Sequence, residues 1–162
     1  MPRRVFYSFQ FAPDHWRASQ VRNMGVVVGQ APASDNDWEA IAANDRKIEL
    51  WIDQQMRGTT CTVVLIGADT EGRRWINYEI QKAWGEGKGL VGVHIHGLLD
   101  QKQHQSPKGR NPFDRFSVGS RSLSELANVY DPPYRASTDV YAWISEGLGR
   151  WIETAIRVRD AH

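Results

Sequence analysis

The sequence predicts an α/β domain built on a doubly wound, mainly parallel sheet with helices on both faces. Three observations carry that expectation. Strand-like and helix-like segments alternate along the chain. Cys61 to Ile66, "CTVVLI", is a near-continuous apolar run, the mark of a strand covered on both faces. The 162 residues suit a single domain, 1–162, large enough to bury a real core. About five strands in the flavodoxin-like order fit, and in such sheets ligands collect outside the carboxyl ends of the strands.

The elements follow in order. Val5-Phe6-Tyr7-Ser8-Phe9 is a β-branched and aromatic run and predicts the first strand. Pro13 to Met24 reads as a helix, with proline tolerated in its first turn and Gly25 as its stop. Val26-Val27-Val28 offers a second short strand, followed by the turn-rich loop "GQAPASDND". Trp38 to Arg57 is mostly helical, with a possible break at Asn44-Asp45 and Gly58 as its stop. After the 61–66 strand, residues 73–86 predict a helix and Leu90 to His96 another strand. Residues 99–125 are polar and read as an excursion rather than core. Ala127 to Tyr130 is a last short strand, stopped by Asp131-Pro132-Pro133. Thr138 to Val158, the closing helix, is amphipathic, with Val140, Ile144, Leu148, Trp151, Ile152 and Ala155 on one side.

Composition narrows the function classes. Lys plus Arg is 20 against 19 for Asp plus Glu, so no net field gathers nucleic acid or an anionic membrane. One cysteine, Cys61, excludes an internal disulfide and fits a buried thiol in a cytoplasmic protein. No stretch is apolar enough for a signal peptide or a membrane span. Seven tryptophans are many for this length; some fill core, and others can wall a planar ligand.

The helix after the apolar strand, "RRWINYEIQKAW", carries a lone glutamate between two tryptophans. At about 100° per residue, Ile76, Ile80 and Ala83 define its buried stripe, and Glu79 falls about 60° to one side of Ile76. Trp75 stands one turn before Glu79, the spacing that stacks two side chains on one stripe. Glu79 is then either a boundary carboxylate paired to Lys82 or Arg74, or a group presented to a strand-end crevice. Ser8, Phe9, Gln10 and Phe11 end the first strand at that crevice. Arg73 and Arg74 sit at a helix start, where the macrodipole disfavours cations; they are either ordinary surface residues or the contacts of an anionic partner such as a pyrophosphate. His94 and His96 alternate to one face of a strand, but no cysteine or acidic pair shares that spacing, so no metal is assigned.

The chain resembles the TIR-like family, most closely the TIR-like B proteins of Thoeris bacterial antiphage systems. The likeness rests on "RRVFYSFQFAPDHWRASQVRNMG", "WIDQQMRGTTCTVVLIGADTEGRRWINYEIQKAW", "GKGLVGVHIHGLLD" and "GRNPFD", and covers roughly residues 3 to 115. The resemblance implies a TIR-like fold and cleavage of NAD at the nicotinamide–ribose bond. It implies Glu79 as the catalytic carboxylate, with Trp75 at the position four residues before it. It puts Trp38 where such domains have a loop that closes over substrate or meets a neighbouring molecule. Ser8, Phe9, Gln10, Phe11, Trp38, Arg74 and Trp75 are accordingly the expected substrate contacts. NAD is expected as substrate, with no cofactor. The implied product is a cyclic ADP-ribose isomer that diffuses to a separate effector protein, and the implied active form is a homo-oligomer.

Other classes compete. A phosphoacceptor receiver shares this architecture but needs carboxylates at the ends of the first and third strands, and "YSFQF" and "LIGAD" lack them there. A non-catalytic TIR-like scaffold is the main alternative, and it has no need for Trp75 and Glu79 together beside an open crevice. A nucleoside-deoxyribosyltransferase relative would also use a glutamate, as a covalent nucleophile.

Overall fold

The computed structural model describes residues 3–26 and 44–162. In chain order the described elements are β1 (Val5–Ser8), α1 (Phe11–Arg22), α2 (Asp45–Met56), β2 (Cys61–Ile66), α3 (Arg74–Gly85), β3 (Gly89–His94), β4 (Ser117–Val118), β5 (Arg121–Ser122), β6 (Val129–Tyr130) and α4 (Ser137–Asp160). Short 3₁₀ turns at Pro112–Arg115 and Leu123–Glu125 flank the small β4–β5 hairpin. The main sheet has the order β1-β2-β3-β6, and every pairing in it is parallel. Four strands are therefore described where about five were expected for this fold. The difference is the 26–28 strand: Val27 and Val28 lie outside the described residues, and Val26 packs against the core.

The period-two alternation of a strand builds one core on each face of the sheet. Val5, Tyr7 and Phe9, with Cys61, Val63, Leu65, Val91, Val93 and Ile95, point to the first face. Phe6, Val64, Ile66 and Leu90 point to the second. The first face is covered by Ala18 and Val21 of α1 and by Val140, Ile144, Leu148, Trp151, Ile152 and Ala155 of α4, the stripe the closing helix was expected to bury. The second is covered by Ile48, Ile52 and Met56 of α2 and Ile76, Ile80 and Ala83 of α3. Cys61 is a buried free thiol that donates to the Thr62 carbonyl at 3.7 Å, and desolvation pushes it up to about 12.

Two features of the fold depart from the sequence expectation. The polar 99–125 stretch does enter the core, through Phe113 and Leu123 on the second face. Asn111 caps the first 3₁₀ turn by accepting from the Phe113 amide, and a capping box at Ser122 and Glu125 starts the second, which brings the two apolar side chains inward. The other is α1, which buries only two aliphatic residues but also Asp14 and Arg17. Arg17 donates to Asp14 Oδ1 at 2.9 Å, to the Leu98 carbonyl at 2.9 Å and to the His104 carbonyl at 2.9 Å. This side chain ties α1 to the chain beyond β3. Among the described residues no helix is long and apolar enough to cross a membrane.

Candidate functional site

Ser8 is the last residue of β1 and Glu79 lies in the second turn of α3. Ser8 shares its face of the sheet with Phe6, and α3 packs on that face, so the two side chains meet. Both are completely buried, and Glu79 Oε1 accepts from the Ser8 hydroxyl at 2.5 Å. Glu79 lies deeper than the shoulder position its helical phase predicts, because the carboxyl end of β1 supplies a polar side chain at that point of the stripe.

The ordinary alternative for Glu79 was a surface pair with Lys82 or Arg74. Both cations are engaged elsewhere. Lys82 pairs with Asp53 at 3.2 Å and Glu86 at 2.8 Å, and Arg74 pairs with Asp45 at 2.5 Å. A carboxylate taken out of water costs several kcal/mol unless hydrogen bonds replace its hydration. A glutamate placed fully inside a helix–sheet interface, next to the strand end where α/β folds bind ligands, is hard to explain as packing.

The remaining expected contacts divide. Trp75, half-buried one turn before Glu79, packs against the second core and stands edge-on to Tyr78, with ring centroids 5.6 Å apart. Arg74 lies over the Trp75 ring at 4.7 Å, so its guanidinium is shared between that ring and Asp45. Tyr78 donates to Asp53 at 2.8 Å and, through desolvation and then that bond, has its phenol pushed up to about 12. Phe9 falls on the opposite face from Ser8, inside the first core, with the Arg22 guanidinium 5.8 Å from its ring. Phe11 opens α1, packs at the edge of that same core and stacks on His15 at 4.8 Å. Gln10 caps α1, its carbonyl accepting from the Asp14 amide at 3.1 Å. Ser8, Glu79 and Trp75 thus share the second face, and Phe9 and Phe11 belong to the first. Trp38 lies outside the described residues.

Sequence reasoning passed over Asp14 and Arg17. Their signal was the pattern "PDHWR", an i,i+3 pair of opposite charges on a helix with too few apolar residues to bury a face. It weighed His94 and His96 as a metal pair and assigned none, without anticipating the burial of His94. His94 is buried, its ring edge-on to His96 at 5.6 Å, and the Nδ1 atoms of both have no partner among the described residues. Desolvation holds His94 down at about 4 against the opposing pull of Asp131, with Lys108 and His96 adding to the depression. A histidine kept neutral in this way stabilises the fold above its unfolded pKa of 6.5, and that stability is lost as pH falls through 6.5 toward about 4. The loss amounts to about 1.4 kcal/mol per pH unit across that window. Urea midpoints measured between pH 7 and pH 4 are expected to show this slope, and His94→Gln is expected to flatten it. An unchanged slope in the variant would mean that other groups set the acid limb. Among the described residues no three His, Cys, Asp or Glu side chains converge in a way that holds a metal ion.

Comparison with known proteins identifies the family. The family described as "Thoeris protein ThsB, TIR-like domain" matches residues 6–100, which include β1, β2, α3 and β3. A protein of Bacillus cereus (strain MSX-D12), named "Putative cyclic ADP-D-ribose synthase ThsB1", is 34% identical over 137 residues. That alignment covers 81% of this chain and 71% of the relative.

Proposed function

The chain belongs to the TIR-like domain family of Thoeris ThsB proteins, and from that footing we propose that it cleaves NAD at the nicotinamide–ribose bond and releases a cyclic ADP-ribose-type signal. The observation that carries this reading is the buried Glu79 carboxylate bonded to Ser8 at the carboxyl end of β1. The name of the Bacillus cereus relative supports the same class of product.

In the proposed reaction the C1′–N bond breaks and its electron pair stays with the nicotinamide nitrogen. The cationic pyridinium thereby leaves as a neutral molecule, and positive charge builds on the ribose. A carboxylate beside the sugar accepts hydrogen bonds from its hydroxyls and stabilises that charge most strongly in the transition state. Glu79 takes this role. Ser8 acts on Glu79 rather than on substrate: its hydroxyl proton fixes the orientation of the carboxylate before the substrate arrives. Trp75, one turn earlier on α3, offers a ring face to the planar base. An adenine nitrogen of the same molecule then bonds to C1′ and closes the ring; capture by water instead gives linear ADP-ribose and a proton. NAD is the substrate and no cofactor is invoked. The active form is proposed to be a homo-oligomer, and the product to act on a separate effector protein.

The deciding experiment separates a diffusible product from physical contact. NAD is incubated with the activated protein and the mixture is passed through a protein-retaining filter. The filtrate is expected to activate a cognate effector, and filtrate from Glu79→Gln protein is expected to be inert. An effector that responds only when the protein itself is present, with an inactive filtrate, would establish a scaffold instead.

A further inference from the structure

The paired arginines at the start of α3 prove unequal. Arg74 is accounted for by Asp45 and the Trp75 ring. Arg73 is not: it is exposed, its Nε donates to the Asp69 backbone carbonyl at 3.1 Å, and it pairs with no carboxylate among the described residues. It faces a crevice of about 480 Å³ that opens beyond the carboxyl end of β2, lined also by Asp69, Glu71, Lys108 and Arg110. That volume is within the range of small-ligand sites, and strand ends of doubly wound sheets are where such sites form.

The charges in the crevice are not mutually satisfied. Glu71 is held by Arg115 at 2.7 Å, and Lys108 by Asp131 at 2.8 Å. Arg110 is exposed and pairs with no acid among the described residues. Two guanidinium groups therefore face one uncommitted carboxylate, Asp69, at a helix start whose dipole adds positive potential. The walls are fixed. A side chain at Gly109 would place its Cβ 2.0 Å from the Gly67 carbonyl oxygen, so the 108–110 backbone sits directly on the end of β2. The Gly67 amide donates to the Thr70 hydroxyl at 2.8 Å, and the Arg73 amide to the Thr70 carbonyl at 3.4 Å, which sets the turn that carries Arg73.

We infer that this crevice binds the pyrophosphate of a nucleotide, with Arg73 and Arg110 each presenting paired N–H donors to phosphate oxygens. Planar, permanently charged forks match two adjacent phosphates better than a single ammonium does. The nucleotide identity rests on the NAD-cleaving reading above, whereas the preference for a phosphate-type anion rests on the crevice alone. Glu79 and Ser8 meet at the end of β1, and the crevice lies at the end of its neighbour β2.

The test is calorimetric titration of the full chain with inorganic pyrophosphate and with ADP-ribose, at low and at raised salt. Wild type and Glu79→Gln are expected to bind both. The double variant Arg73→Gln/Arg110→Gln is expected to weaken both by at least about tenfold, since each lost bond joins two charged groups. Both arginines are exposed, so the double variant is expected to melt as wild type does. Its KM for NAD is expected to rise with kcat within about twofold, the pattern of lost substrate binding. Unchanged pyrophosphate and ADP-ribose affinities in the double variant would overturn the inference, as would wild type that binds neither. Pyrophosphate binding that needs the arginines, beside ADP-ribose binding that does not, would overturn the nucleotide assignment and leave an inorganic anion site. Wild type that binds both ligands through the arginines yet never cleaves NAD would refute the enzymatic reading and not this one.

Discussion

Glu79→Gln is expected to lower NAD cleavage by about 10²- to 10⁴-fold while leaving a folded protein. The two side chains have the same shape, so no cavity forms, and the Ser8 hydroxyl can still donate to the amide oxygen. What disappears is the negative charge that, in the proposed reaction, stabilises the developing oxocarbenium ion. Because the shape and the Ser8 bond are kept and a buried charge is removed, the cost in stability is expected to fall within about 1 kcal/mol of wild type although Glu79 is completely buried. Ser8→Ala is the companion. It removes the bond that orients the carboxylate, so kcat is expected to drop with KM nearly unchanged. A Glu79→Gln protein of full activity would remove this residue from the mechanism. A Ser8→Ala protein whose KM alone changes would return Ser8 to the role of substrate contact.

Arg17→Met carries the largest expected loss of stability. Arg17 is buried and donates to a carboxylate and to backbone carbonyls on two separate segments, so its removal strands the Asp14 charge in the interior. Breaking a buried pair from one side costs about 3–5 kcal/mol. Desolvation already raises the pKa of Asp14 above its ordinary value, with Arg17 opposing the rise. Without Arg17 it rises further. The deficit is therefore expected to be largest near neutral pH and to shrink as pH falls and Asp14 takes up a proton. Asp14→Asn in the Arg17→Met background is expected to recover part of the loss. Chemical denaturation at two pH values measures all of this, and a deficit that does not change with pH would place the loss in the carbonyl contacts rather than in the stranded charge.

The parts of this molecule legible in the sequence are those where one physical force dominates. The β2 run and the apolar stripe of α4 declare themselves because burial on a parallel sheet selects for nothing but apolar side chains. The pairing of Glu79 with Ser8 was legible as far as topology reaches: helix phase and strand end put them in one neighbourhood. Its depth was not, because phase locates a residue around the axis and says nothing of what the neighbouring strand offers. Phe9 shows the converse, since strand alternation in the sequence already separated it from Ser8. The depth of Arg17 was not legible. That side chain is stabilised by partners far along the chain, at Leu98 and His104, and no local pattern encodes a partner at that distance. Phe113 and Leu123 were hidden by the polar residues around them.

The helix α4 has a consequence for how the chain comes into being. It supplies most of the cover of the first face, yet it is the latest described element in the order of synthesis. A nascent chain that has emerged only as far as Ala136 can close the α2–α3 side of the sheet but must leave Val63, Val91 and Val93 without most of their cover. Folding of the whole sheet is thereby deferred until residues 137–160 have been made. Ser8 and Glu79 both belong to the early-closing side, so this hydrogen-bonded pair can assemble on an intermediate whose other side is still bare.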